Sequence, residues 1–201
     1  MTTEPRFDAP AAPDTPDAGL IETTLDSRTA YDGHFLTVKH DTVRLPDGKS
    51  ATREFIVHPG AVMVIPLFDD GRVLIERQYR YPMGRVMTEF PAGKLDAGED
   101  PQVCAHRELR EETGYSAREL IYLTRVHPVI SYSTEFIELY LARGLSEGER
   151  RLDEGEFLDL EIVRPEELMA AVRRGEITDV KTIIGAFWLE KFLSGQWPDG
   201  A

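Results

Sequence analysis

The residues best suited to chemistry in this 201-residue chain lie between Gly93 and Tyr115, in the run GKLDAGEDPQVCAHRELREETGY. Asp100 is a helix-capping residue type, Pro101 suits the first helical position, and Gly114 suits the left-handed residue that ends a helix, so the run predicts a helix over 101–113. At about 100° per residue, Glu108 and Glu112 project in the same direction and Glu111 lies close beside them. Ala105 and Leu109 form an apolar stripe next to that row, so the carboxylates border the core, where their mutual repulsion is poorly screened. A hard divalent cation relieves such repulsion, because magnesium takes one or two carboxylates and completes its shell with water and phosphate oxygens. Phosphate chemistry is the inference. The alternative for an arbitrary run of charges is a solvated acidic helix in which Arg107 and Arg110 pair with their neighbours.

Spacing separates the two readings. The segment resembles the Nudix box, Gly-x5-Glu-x7-Arg-Glu-apolar-x-Glu-Glu-x-Gly-apolar, in register through Gly93, Glu99, Arg107, Glu108, Leu109, Glu111, Glu112, Gly114 and Tyr115. At average residue usage the seven fixed letters match by accident in about one such chain per million. The resemblance implies hydrolysis of a nucleoside diphosphate linked to another moiety, with magnesium or manganese as cofactor. It also implies that Glu108 and Glu112 are the main metal ligands, Glu111 an assisting catalytic carboxylate, and Arg107 an orienting partner for Glu99 or its neighbours. Glu99 reads equally as a structural residue.

Two shorter runs, Gln78-Tyr79-Arg80 and Glu89-Phe90-Pro91-Ala92-Gly93, resemble the ADP-ribose pyrophosphatase branch of that family. There the resemblance implies that Arg80 contacts the substrate diphosphate, that Glu89 lies in the substrate site, and that the Ala92 backbone carbonyl is a metal ligand. It further implies that Glu156, at the end of the acidic loop from Ser146, is the general base, with Glu154 in reserve. A carboxylate beside a metal-polarised water can accept its proton. On the residues alone, Arg80 reads equally as a surface ion pair and the loop as an ordinary acidic loop. The implied reaction is hydrolysis of ADP-ribose to AMP and ribose 5-phosphate. One alternative is another nucleoside diphosphate sugar such as GDP-mannose, because ADP-ribose enzymes often carry a proline further beyond the box than Pro128. A second is a nucleotide-sugar sensor that binds without cleaving, although such a protein would be free to lose the carboxylates retained here.

These residues need a scaffold. Ala61 to Phe68, AVMVIPLF, is apolar throughout and predicts a strand buried on both faces. Asp69-Asp70-Gly71 turns the chain into a partner strand, RVLIERQYR, which delivers Arg80. Beyond the box, β-like segments span 117–126 and 135–144, joined by HPVISYSTE, and a further strand reads FLDLEIV. Pro165 opens a helix that Gly175 ends. Asp179 caps another, in which Val180, Ile183, Ile184, Phe187 and Trp188 recur at core spacing. Ile21 to His58 reads as β, with Pro46-Asp47-Gly48 as a turn. The fold implied by the resemblance is an α/β class Nudix α/β/α sandwich, a mixed sheet between helices, preceded by a small N-terminal β-sheet. The expected organisation is a tail over 1–19, an N-terminal β region over 20–58 and a hydrolase domain over 59–197.

Residues 1–19 are rich in Pro, Ala and Asp with little to bury, which predicts a disordered tail. The net charge of −13 argues against a nucleic-acid backbone or an anionic membrane as partner. An anionic substrate must then be met locally, by metal and a few arginines. The single cysteine, Cys104, can form no intrachain disulfide and reads as a small buried apolar residue. With no apolar run of membrane length and no signal-peptide core, the chain reads as cytoplasmic. The five histidines lack metal-ligand spacing. A β region that cannot bury both faces alone, together with the resemblance to dimeric ADP-ribose enzymes, predicts a homodimer that touches through residues 21–58. Tyr31 and Phe35 are candidates for an adenine shelf, and Arg53 for a phosphate or ribose contact, although a surface charge on an edge strand is the ordinary reading of Arg53.

Overall fold

The structure, a computed structural model, describes residues 16–197. The first fifteen residues of the expected tail lie outside the described residues, and Pro16–Gly19 form exposed turns. The chain divides into two units, one running through His58 and including Ser131–Thr134, the other made of Pro59–Ile130 and the chain from Glu135 onward.

In the larger unit everything is arranged about β4 (Ala61–Pro66), whose six residues are all buried. It pairs in parallel with β9 (Ile137–Glu147) and antiparallel with β7 (Ala92–Lys94), while β8 (Tyr115–Val126) pairs antiparallel with β9. The result is a mixed sheet in the order β7-β4-β9-β8. Successive side chains of a strand point to opposite faces. Ala61, Met63 and Ile65 accordingly pack with Leu139, Leu141, Leu168, Ala186 and Leu189, and Val62 and Val64 pack with Cys104, Ala105, Leu109 and Tyr140. The first face is therefore covered by α2 (Pro165–Arg173) and α3 (Val180–Leu193), the second by α1 (Pro101–Thr113). Each fully buried aliphatic side chain contributes about 1.5–3 kcal/mol, and this two-sided burial is why the strand reads as an unbroken apolar run.

A second, antiparallel sheet has the order β10-β5-β6, formed by β10 (Leu158–Val163), β5 (Val73–Arg80) and β6 (Arg85–Glu89). Its register sets Glu76 directly opposite Glu89. Directly opposed residues share a face, and Gln78 and Arg80 follow Glu76 at the two-residue period, so this sheet presents one polar face at its β5–β6 end. A single 3-10 turn, Tyr81–Met83, joins β5 to β6.

α3 corrects one expectation. Ile183, Ile184 and Trp188 pack partly buried against the core as expected, but Val180 and Phe187 are exposed, and the buried residues are Lys181, Thr182, Gly185, Ala186 and Leu189. The helix is apolar around most of its circumference, so periodicity does not choose a face. Size chooses it: a Cβ on Gly185 would lie 2.7 Å from Met63 Cε and 3.2 Å from the Phe90 ring, so the small residues mark where the helix lies closest to the sheet.

The smaller unit is an antiparallel sheet in the order β1-β2-β3, built from β1 (Thr23–Asp32), β2 (Thr37–Arg44) and β3 (Ser50–Val57). Gly48 takes the left-handed φ of 85° in the turn between β2 and β3. Ile56 exchanges backbone hydrogen bonds with the returning segment, donating to Tyr132 O and accepting from Thr134 N, both at 2.9 Å. Among the described residues of this unit only Asp41 and Val43 are buried, and β1 is exposed along its whole length. Among the described residues no helix is long and apolar enough to cross a membrane.

Candidate active site

Local chemistry fixes both ends of α1. Asp100 Oδ1 accepts from the N–H groups of Gln102 and Val103 at 2.9 and 3.2 Å, and Gly114, at φ 78°, donates its N–H to Arg110 O. These contacts satisfy backbone groups that a helix leaves free at its termini. With its apolar stripe seated on β4, the helix turns Glu112 inward and leaves Glu108 and Glu111 half-buried.

Arg107 gathers the box carboxylates. Its Nε and Nη2 bind Glu99 as a fork at 2.9 and 2.8 Å, and its Nη1 donates to Glu108 at 2.7 Å and to Glu111 at 3.1 Å. The hydrogen bonds from Arg107 pull the Glu99 carboxyl down to about 2. The arginine itself is held well above its ordinary value, first by Glu99 and then by Glu108 and Glu111. Cys104 is buried, and burial pushes its thiol far above the usual range, which makes it inert packing. Arg107 thus bonds Glu99, Glu108 and Glu111 together.

Glu112 is almost fully buried and accepts a 2.9 Å hydrogen bond from the Ala92 N–H. Burial raises its pKa strongly, and the charges of Glu76, Glu108 and Glu156 add to that effect. Glu108 is also raised, chiefly by burial. Gly93, next to Ala92 on β7, cradles Glu108: a Cβ there would stand 1.9 Å from Glu108 Cδ. The glycine that opens the box is therefore a matter of space, not of a left-handed turn.

On the neighbouring sheet, Arg80 forks onto Glu89 through Nε at 2.7 Å and Nη2 at 2.9 Å. Lys181 reaches the same carboxylate from α3 and also bonds Asp179 at 3.0 Å. Burial acts to raise Glu89, but the hydrogen bonds and charges of Arg80 and Lys181 outweigh it and hold the group below the usual range. Thr182 Oγ1 accepts from the Phe90 N–H at 3.0 Å, tying α3 to the start of the box segment. Glu156 hangs from its loop and accepts from Gln78 Nε2 at 3.3 Å. Glu76 lies among them fully buried, and burial followed by the charge of Glu89 raises its pKa.

The structure thus brings Arg80, Glu89, Ala92, Arg107, Glu108, Glu111, Glu112 and Glu156 into the larger unit around α1, β5, β6 and β7. Glu154 is exposed on the loop that carries Glu156. Arg53, on β3 of the smaller unit, is paired with Glu22, and Tyr31 and Phe35 are exposed in that unit. Sequence reasoning missed Glu76 and Lys181. Glu76 carried a signal, as a lone charge in the otherwise apolar start of β5, whereas Lys181 could be found only through the rotation of α3.

Among the described residues no three acidic, thiol or imidazole groups are gathered into a ready-made metal cage, since Glu108 and Glu111 are turned toward Arg107. The donor chemistry nevertheless fits a hard divalent cation. Glu108 and Glu112 supply carboxylate oxygens, Ala92 supplies a carbonyl, and burial, with repulsion from neighbouring carboxylates added, raises both groups in a way that a cation reverses.

An α/β/α sandwich that sets an acidic helix against arginine- and carboxylate-bearing strand ends defines a class of hydrolases that work on phosphate groups. The sequence matches the NUDIX domain over residues 57–182, and the chain belongs to the Nudix hydrolase family. Residues 22–56 match the nucleoside diphosphate sugar hydrolase N-terminal domain. The chain is 37% identical over 173 residues to the ADP-ribose pyrophosphatase of Bacillus subtilis (strain 168), covering 85% of this chain and 94% of that protein. It is 38% identical over 171 residues to the methanol dehydrogenase activator of Bacillus methanolicus, covering 84% and 92%. In fold it is similar to the crystal structure of an ADP compounds hydrolase, with a TM-score of 0.79 at 24% identity over 87% of this chain and 95% of that one.

Proposed function

We propose that this protein is a Nudix pyrophosphohydrolase that hydrolyses ADP-ribose to AMP and ribose 5-phosphate with magnesium, manganese being able to replace it. One observation carries the reading: the box carboxylates on α1 and the Arg80–Glu89–Ala92 group on β5, β6 and β7 sit in the same unit, with Glu112 bonded to Ala92 itself. The names of its relatives and the nucleoside diphosphate sugar hydrolase match at residues 22–56 support the substrate class.

In this reading Glu108, Glu112 and the Ala92 carbonyl hold the cation, which when bound neutralises diphosphate charge and acidifies the attacking water. Arg80 presents its guanidinium to the diphosphate, and Glu89 and Lys181 fix its orientation. Glu156 accepts the proton as water adds to one phosphorus and the bridging P–O bond breaks. Glu111 assists that transfer, and Arg107 keeps Glu108 and Glu111 aligned.

The protein works as a homodimer in the cytoplasm, residues 20–58 forming the dimerisation region ahead of the hydrolase domain at 59–197. Support for a partner comes from β1, exposed over its full length, because an uncovered strand invites pairing or cover.

A panel of ADP-ribose, GDP-mannose and other sugar nucleotides, dinucleotides and nucleoside triphosphates, assayed with magnesium, tests the reading. ADP-ribose should give AMP and ribose 5-phosphate with the highest kcat/KM. Turnover of none of them rejects the enzyme, and a preference for GDP-mannose reassigns the substrate.

A further inference from the structure

The buried charge around Arg80 does not balance. Among the described residues the cations bonded to this group are Arg80 and Lys181, and both are committed to Glu89, with Lys181 also bonded to Asp179. Against them stand five carboxylates, Glu76, Glu89, Asp179, Glu112 and Glu156, within electrostatic reach of one another or of those cations. Glu76 is the anomaly: it is 0% exposed, and neither of its carboxylate oxygens has a hydrogen-bond partner among the described residues. A buried carboxylate without a partner is strongly disfavoured. Protonation lessens the penalty but does not remove it, because a carboxylic acid there still leaves a buried O–H donor and carbonyl without a bonded partner. The register leaves Glu76 no alternative direction, since it stands directly opposite Glu89 on the face that carries Gln78 and Arg80.

We propose that Glu76 is a further anionic residue of the divalent-cation site, acting with Glu112 to hold the cation. This rests on the metal assignment made for the proposed function and adds to it a residue outside the box. A packing role for the Glu76 methylenes accounts for their burial, but the neighbouring Val73, Leu74 and Ile75 fill their buried positions with apolar side chains, and an apolar residue would serve packing better.

The test reads binding and not turnover. Free manganese is counted by electron paramagnetic resonance as the ion is titrated into the intact protein without nucleotide, in wild type, Glu76→Gln, Glu76→Leu, Glu112→Gln and Glu161→Gln, the last an exposed residue of β10. Glu76→Gln should weaken manganese binding about tenfold or more, as loss of a supporting carboxylate does at other metal sites. Glu76→Leu, which places an apolar side chain in an apolar strand and protects the fold, should weaken it at least as much while the apoprotein melts no lower than wild type. Glu161→Gln should bind as wild type. If Glu76→Gln and Glu76→Leu fold and bind manganese within twofold of wild type while Glu112→Gln binds weakly, Glu76 is structural and the inference fails alone. If Glu112→Gln also binds as wild type, the metal assignment fails and takes the inference with it.

Discussion

At the scale of single residues, Glu112 joins near-complete burial to opposition from the charges of Glu76, Glu108 and Glu156. Replacing it with Gln keeps the side-chain shape and a good helix former but removes the charge. Glu112→Gln should lower kcat about 100-fold, comparable to losing one electrostatic stabiliser in other enzymes, with an unchanged far-UV circular dichroism spectrum. Undiminished turnover removes Glu112 from the site. The same burial makes a pH prediction. Glu76 is raised from 4.5 to about 7 in the fold and Glu112 is raised further, so over this range the native apoprotein binds more protons than the unfolded chain. Stability therefore falls as pH rises. The apoprotein Tm should decline as the pH climbs from 4.5 through about 7, and saturating magnesium should flatten that decline. An apoprotein Tm that rises across the same window contradicts the burial of these groups as ionisable carboxylates. The box residues were legible because their spacing is dictated by one helix face. Glu76 stood out only as a charge closing the apolar start of β5, and its importance lies in a cross-strand register with Glu89 that this local signal does not encode.

At the scale of elements, the cap at Asp100, the stop at Gly114 and the two-sided burial of β4 could be read directly, since each depends on neighbours close in sequence. The buried face of α3 could be read only in part, through Ile183, Ile184 and Trp188. Apolar residues around most of the circumference weaken the contrast on which periodicity depends, and the closest approach fell to Gly185 and Ala186, where the helix meets Met63 and Phe90. Gly93 shows the same logic at the site. Its place in the box was legible, but its reason was not, because the reason is the Glu108 carboxyl lying across it from another element. Gly93→Ala should therefore displace Glu108 and weaken turnover by about tenfold or more, in line with the cost of misplacing a reacting group by about 1 Å. Thermal melting should drop by only a few degrees, since the half-buried Glu108 can swing outward. A wild-type kcat in Gly93→Ala means that Glu108 does not need this position to act.

At the scale of the molecule, the two units have unequal means of standing alone. The larger has two hydrophobic clusters, one on each side of the β4 sheet. The smaller has three strands, two buried residues among those described, and exposed Leu25, Tyr31 and Phe35. A sheet with so little apolar burial is marginal in water unless something covers it. A second copy of the chain suits that need, because a twofold interface lets each exposed sheet cover the other with the same residues. The net charge of −13 opposes association at long range, but about 0.15 M salt screens it to within about 8 Å, so a dimer held by apolar contact should persist or tighten as salt is raised. Light scattering on the intact protein should give twice the chain mass at physiological salt. Removal of residues 1–19 should leave that mass and ADP-ribose turnover unchanged, since the segment lies ahead of β1. Removal through residue 58 should yield a monomer with a higher KM. If the intact protein is instead a monomer that turns over ADP-ribose normally, the smaller unit does not serve dimerisation, and its exposed β1 needs another explanation.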